Sequence, residues 1–390
     1  MYFMNSFYKQ GEYSNCLSLY HEFKHRFPES ALINNTLGWA VYQSCLKDHD
    51  FDRGNNGIFL KQVAYVIART EDTMYSPLWR VIALVVKAFF DKKLPELDKE
   101  KAVQYLDLVN PDNLSEQERS FPANGRMVRL ASDREKWYAA KSKLCLAVKD
   151  YAGCISVCDT ALRVLSSFHN NNDVWFRYRK ALAYCSLGDL DQTEKEITEA
   201  LAIGIDHWCL YQLLFAVAVK KGDRDKAVVY AGTCALSDRE HKMRVRFYDR
   251  VAVELSDQGL LHEAGLHHRL AALLREENNW KQPETAEMPL DEPIKFLDKA
   301  AVLKELLPIW QSWRDRDKVF LSGTVCRIFP SGRDGLIADE DDKQYYFRFG
   351  DVSGKREQIA EGTAVRFALT ERFNKKKGQL QQNATDISLV

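Results

Sequence analysis

Apolar residues recur at three-and-four spacing through roughly the first 277 positions, as at Trp208, Leu210, Tyr211, Leu214, Phe215 and Ala218. That period predicts amphipathic helices along the whole stretch, with the sparse glycines marking where they stop. Residues 278–293, Asn-Asn-Trp-Lys-Gln-Pro-Glu-Thr-Ala-Glu-Met-Pro-Leu-Asp-Glu-Pro, hold three prolines. Each proline removes a donor and discourages helix just before it, so this segment is expected to be a linker. A further amphipathic helix is expected from about Ile294 to Asp315, within a connecting stretch of 294–316. The period then changes to alternation. It predicts strands at about 319–329, 335–339, 344–349, 363–371 and 379–389, in a terminal domain of 317–390. The intervening Pro330–Asp334, Glu340–Lys343 and Asn374–Gly378 are turn-formers. Five short strands suit a small closed barrel.

A short phrase repeats in the helical part. It reads Gly11-Glu12-Tyr13-Ser14-Asn15-Cys16 and Lys149-Asp150-Tyr151-Ala152-Gly153-Cys154. It returns at Gly188–Thr193, Gly222–Ala227 and Gly259–Ala264, with 34 positions between the first two of these glycines and 37 between the last two. In each phrase glycine or its substitute ends one helix, an apolar residue plugs the hairpin, and a small residue lets the next helix pack close. Such hairpins bury their apolar stripes only against neighbours. These residues resemble the tetratricopeptide repeat family. Thr36-Leu37-Gly38-Trp39-Ala40 looks like a first helix with Gly38 at the close-packing position. Pro28 looks like the proline that closes a repeat, and Ala200-Leu201 resembles the small-large pair of a second helix. The resemblance covers 1–277, most clearly 175–277, and implies an α-solenoid of six to seven hairpins with a concave partner-binding surface.

The terminal domain resembles the bacterial cold-shock family, an OB-type barrel. Gly323-Thr324-Val325 looks like its opening strand, and Gly335-Leu336-Ile337 like the end of its first nucleic-acid motif. Tyr345-Tyr346-Phe347-Arg348-Phe349 resembles the second motif, and Glu361–Phe367 the entry to its fourth strand. The resemblance implies stacking of single-stranded nucleic acid, RNA before DNA. The family carries aromatics where this chain has Arg327, Asp334 and Leu336, so three platforms worth about 1–3 kcal/mol each are absent. The residues left for the ligand are Arg327, Tyr346, Arg348, Phe349 and Arg366, with Lys375, Lys376 and Lys377 for phosphates. Asp334 opposes an anion.

Charge limits the picture. Lys+Arg and Asp+Glu are 55 each, so the chain is no uniformly basic nucleic-acid coat. From Asp317 to Val390 there are 12 basic and 11 acidic residues, an excess of one. A local basic stripe stands out instead: Arg239, Lys242, Arg246 and Arg250 are spaced for one helical face, and Arg177, Arg179 and Lys180 lie on the corresponding earlier helix. It reads either as a solvated face or as a basic groove for an acidic peptide or a phosphate backbone. The nine cysteines fit buried free thiols in a reducing compartment. Met1–Ser6 lacks a secretory pattern and no stretch is long enough to span a bilayer, so a cytoplasmic protein without membrane partners is expected.

Little points to catalysis. His21-Glu22-Phe23-Lys24-His25 has the H-E-x-x-H spacing of zinc proteases. It lies in a repeat helix, with no third ligand at a familiar distance, so surface histidines are the reading preferred. His262, His267 and His268 do not share a helical face, and Cys154 with Cys158 lacks a second pair for zinc. No cofactor or metal is expected. The resulting expectation is a non-catalytic adaptor that holds a protein in the repeat groove and single-stranded nucleic acid on the barrel. The alternatives are a pure scaffold with a silent barrel and, more distantly, a metalloprotease. In layout the chain is similar to accessory components of bacterial stress-response or anti-phage conflict systems.

Overall fold

The computed structural model describes residues 2–23, 30–74, 76–123, 125–237, 240–283, 292–352, 358–374 and 379–390. The chain forms two compact units, Met1–Leu187 and Gly188–Val390. The first contains helices α1 (Tyr2–Lys9), α2 (Tyr13–Phe23), α3 (Ala31–Val41), α4 (Asn56–Ile67), α5 (Leu78–Phe90), α6 (Lys99–Asp107), α7 (Asp133–Ala147), α8 (Tyr151–Val164) and α9 (Asn172–Leu187). Each packs on its neighbours in the chain. The core runs through Val63, Val66, Ile82, Val85, Leu106, Leu144 and Phe176, all fully buried. Gly38 sits where close approach demands it, since a Cβ there would lie 2.7 Å from Pro77 Cγ and 2.9 Å from Thr70 Cγ2.

The repeated phrase has a common geometry. Gly11, Gly222 and Gly259 have φ of +79°, +72° and +77°, and Lys149 takes the same place at +64°. In each case the following amide reaches five residues back: Glu12 to Phe7, Asp150 to Cys145, Asp223 to Ala218 and Leu260 to Leu255, all at 2.8–2.9 Å. This is the left-handed stop that satisfies a helix's last carbonyls. Asp150, Asp189 and Asp223 then cap the next helix, accepting from the amides of Gly153, Gln192 and Lys226 at 2.9–3.1 Å. The small residue five positions after the stop (Cys16, Cys154, Thr193, Ala227, Ala264) is at most 1% exposed every time. The expected apolar plug fails in the last two phrases, where the position is held by the exposed Arg224 and the exposed Leu261.

Helix does not run unbroken to residue 277. A two-stranded hairpin, β1 (Arg119–Ala123) and β2 (Arg126–Leu130), interrupts it. Pro122 forbids helix there, and Gly125 supplies φ +73° for the tight turn. A π-helical turn spans Tyr42–Leu46 and a 3₁₀ turn spans His241–Arg244.

The second unit contains α10 (Leu190–Ala202), α11 (Trp208–Lys221), α12 (Arg224–Ala235), α13 (Val245–Asp257), α14 (Leu261–Glu277), α15 (Glu292–Lys295) and α16 (Lys299–Arg314). The single helix expected over 294–315 is thus split in two. Asp298 starts α16 afresh by accepting from the Ala301 amide at 2.8 Å. α16 lies on α12 and α14. Gly232 makes this possible, because a Cβ there would be 2.5 Å from the Trp310 carbonyl oxygen. Trp310 is fully buried, stacks on Tyr248 at 5.8 Å, and donates its indole N–H to His267 Nε2 at 2.9 Å. Trp313 stacks on the His267 ring at 5.6 Å. Truncating such a buried indole costs about 3–5 kcal/mol.

The barrel follows directly. Strands β3 (Phe320–Ile328), β4 (Asp334–Asp339), β5 (Gln344–Arg348), β6 (Ala364–Asn374) and β7 (Gln379–Leu389) close in the order β3-β4-β5-β7-β6. Val325, Ile337, Phe347, Val365, Phe367 and Ile387 fill it. Gly335 admits the ring of Phe347, which would lie 2.7 Å from a Cβ. The barrel is not merely tethered. Asp386 on β7 takes Lys318 at 2.6 Å and Arg314 at 3.7 Å, and α10 packs on β6. Arg372 holds Asp351 through two bonds of 2.9 Å.

Two predictions follow from these packings. Lys149→Gly relieves a left-handed lysine and is expected to raise stability by about 0.5–1 kcal/mol in denaturant melts; a loss would contradict the stop geometry. His267 donates from Nδ1 to the Glu263 carbonyl at 2.7 Å and accepts from Trp310, so burial holds it neutral with a pKa pushed down to about 4. His241, half-buried beside Tyr248 and Arg244, is likewise pushed down to about 4 by desolvation and by the Arg244 charge. The unfolded chain binds these protons near pH 6.5 and the folded chain does not. Stability should therefore be level above about pH 6.5 and fall below it, by about 2 kcal/mol per histidine at pH 5. Equal denaturant midpoints at pH 7 and 5 would refute this, and His267→Gln should remove part of the slope.

Candidate binding surfaces

The second unit presents a cleft of about 870 Å³ between α11, the 3₁₀ turn with α13, and the end of α14. Trp208 and Gln212 form one wall, Lys242, Met243 and Arg246 another, and Arg275, Trp280 and Lys281 the third. Four cationic side chains and no carboxylate appear among the described lining residues. Arg275 is held by a bidentate ion pair to Asp249, and Lys242 meets Glu240 at 2.6 Å. Arg246 and Lys242 are exposed, as are Trp280 and Met243 at 47% and 60%. Trp280 is positioned by a backbone turn, its amide donating to the Arg275 carbonyl at 2.9 Å after Asn279 enters the left-handed region at φ +54°. The surface offers aromatic faces beside fixed positive charge, a setting that desolvates an apolar side chain while attracting carboxylates.

The basic stripe read from the sequence is only partly assembled here. α13 begins at Val245, so Lys242 sits on the 3₁₀ turn and not on the same helix as Arg246 and Arg250. Arg250 is exposed but does not line the cleft, and Arg239 lies outside the described residues. Arg244, between them in sequence, is turned inward and donates to the Cys234 and Ser237 carbonyls at 2.7 and 3.1 Å. That places a cation at the negative end of α12.

Arg177 and Arg179 belong to α9 in the first unit. Arg177 is half-buried. Arg179 departs from both expectations, the open groove and the solvated face: it is 7% exposed, with its guanidinium 4.7 Å from the centroid of Phe176. Its neighbours are the Cys154 and Cys158 thiols. A hydrogen bond from Cys154, with Arg179 and Ser142 adding to it, holds the Cys158 thiol below the usual range, while the same bond and burial push Cys154 up. Helical periodicity places Arg179 on a face, but it cannot tell which face the next helix covers.

On the barrel, register decides which residues meet. Arg327, Leu336 and Tyr346 are cross-strand partners in one row of β3, β4 and β5, and Asp334 pairs with Arg348 in the next. Phe329, overlooked in the sequence reading, joins them. Its ring stacks on Tyr346 at 6.4 Å, and Arg327 lies 5.6 Å from its centroid. A register shift between Val325 and Arg327 turns Arg327 outward although Val325, two positions earlier, is buried in the barrel. Phe329, two positions further on, then shares the side of Arg327, and that i, i+2 spacing was the available signal. Tyr346 donates its hydroxyl to Asp334 Oδ2 at 2.9 Å, and burial with this carboxylate raises its pKa. Arg348 is exposed.

Two expected residues do not join this row. Phe349 packs inward against Phe347 at 5.4 Å, on the 3₁₀ turn that ends β5. Arg366 pairs with Ser322 across β3–β6 and covers the Phe320 ring at 4.0 Å, well down the barrel from Arg327. Lys375, Lys376 and Lys377 lie outside the described residues. In the H-E-x-x-H phrase His21 and Glu22 are exposed at the end of α2, while Lys24 and His25 lie outside the described residues. No group of three metal-ligating side chains occurs among the described residues. None of the described helices is long and apolar enough to cross a membrane.

No family profile and no curated protein matches the chain. Among solved structures, the chain is similar to the C-terminal part of a TPR repeat-containing protein from Cytophaga hutchinsonii. That match has 11% identity and a TM-score of 0.35, covering 79% of this chain and 94% of that one. It is also similar to the TPR domain of P58(IPK), at 12% identity and a TM-score of 0.22, covering 81% of this chain and 91% of that one.

Proposed function

We propose that the protein is a non-catalytic adaptor whose helical body holds an acidic, aromatic-bearing segment of a protein partner. The observation that carries this reading is the cleft of the second unit, where Trp208 and Trp280 flank Arg246, Lys281 and the Glu240-paired Lys242, with no carboxylate among the described lining residues. A carboxylate gains from several cations in a concave site, and an aromatic side chain gains from the apolar walls. The test is fluorescence anisotropy with a labelled Asp-Glu-Phe-Asp-Glu peptide, beside its Lys-Lys-Phe-Lys-Lys counterpart. The acidic peptide should bind, weaken as salt rises, and lose about tenfold or more in Arg246→Glu and in Trp280→Ala. Equal binding of both peptides, or indifference to Arg246→Glu, rejects the reading.

The barrel supports a second contact, with single-stranded nucleic acid and RNA before DNA. The row of Arg327, Phe329 and Tyr346 favours it, because a stacked aromatic pair beside a guanidinium is a platform for a base. Asp334 works against it, although the Tyr346 hydroxyl and Ser331 engage that carboxylate. Oligo(U) binding at low salt is expected to fall about 5- to 100-fold in Tyr346→Ala, the loss of one stacking contact. Absence of binding at low salt leaves the scaffold with a silent barrel.

A further inference from the structure

The β1–β2 hairpin of the first unit is exposed along almost its whole length. Isolated two-stranded ribbons are marginal in water. This one is held at its base, where Arg119 and Arg80 both reach the buried Asp133 at 2.6 and 2.8 Å. Register separates its two faces. Phe121, Val128 and Leu130 share one face, at 45%, 36% and 36% exposure, and Met127 and Arg129 occupy the other. From Arg119 to Ser132 the sequence has three arginines and no acidic residue. Among the described residues no ion pair engages Arg126 or Arg129.

The turn also fixes which edge is open. In a two-residue hairpin the residues flanking the turn, Ala123 and Arg126, form a hydrogen-bonded pair, and pairs alternate from there. Pro122–Met127 and Ser120–Arg129 are then the non-bonded pairs. Their backbone groups point away from the partner strand. On β1 that edge lacks the Pro122 donor, whereas on β2 Met127 and Arg129 offer complete N–H and C=O pairs.

We infer that the outer edge of β2 is a docking site for an extended protein segment of alternating apolar and acidic residues, added as a third strand. Its apolar side chains extend the Phe121–Val128–Leu130 face, and its carboxylates meet Arg129 on the other. Four exposed apolar side chains against two unengaged arginines favour protein over nucleic acid, for which two phosphate contacts give little affinity.

The test uses the full chain and a labelled Val-Glu-Val-Glu-Val-Glu-Val-Glu peptide, with Val-Lys-Val-Lys-Val-Lys-Val-Lys and oligo(dT) as comparisons. The acidic peptide should bind, and about tenfold weaker binding is expected in Met127→Pro and in Arg129→Glu. Met127→Pro removes only an outward donor, so circular dichroism should be unchanged. Ser120→Pro, which alters the opposite edge, should bind as the parent does. Failure of the acidic peptide to bind, equal loss in Ser120→Pro, or no loss in Met127→Pro overturns the inference. Tighter oligo(dT) binding that falls in Arg129→Glu but not in Met127→Pro also overturns it, in favour of a nucleic-acid ribbon.

Discussion

The second unit depends on one close approach. At Gly232 the backbone of α12 meets the backbone of α16, and no other residue leaves room for the Trp310 carbonyl 2.5 Å from where a Cβ would stand. This contact lets Trp310 sink between Tyr248 and His267 and lets Trp313 lie flat on the same imidazole. A neutral histidine is needed there, because Nε2 accepts from the indole while Nδ1 donates to a carbonyl. Protonation would set two donors against each other. Hydrophobic burial, hydrogen bonding and a depressed pKa are thus one arrangement seen three ways.

What α16 carries with it is the barrel. Arg314 and Lys318, at and just beyond the end of α16, converge on Asp386 of β7. On the α11 side, burial and the Asp206 carboxylate push the Tyr211 hydroxyl upward, against the opposing charge of Arg372. A proline-containing segment precedes α16 in the sequence, yet it does not set the barrel's reach. The helix after it is anchored before the first strand begins.

Much of this was legible in the sequence, and for identifiable reasons. The left-handed stop, the aspartate cap and the buried small residue recur because each hairpin must solve the same problem, so Gly222-Asp223 and Ala227 announce their roles. The five strands were legible because alternation and turn residues agree. What escaped were features decided by distant neighbours. Arg179 lies on a polar-looking face that another helix covers. The cationic stripe breaks at Val245 because a 3₁₀ turn changes the period. The β1–β2 hairpin was lost inside a helical stretch, although Asn124-Gly125 with Pro122 beside it is a strong local signal. The cleft drew on Trp280 and Lys281, read only as part of a linker.

The docking of the barrel changes what kind of device the second unit is. A domain on a flexible tether samples many separations, so it gathers any two ligands its linker can span. Here the aromatic row of β3–β5 and the cationic cleft stand on one framework, joined through α16 and the Asp386 charges. Their separation is a constant of the fold. For the two contacts proposed above, a fixed separation makes the unit a gauge: a partner spanning both surfaces is selected by the interval between its groups as well as by their chemistry.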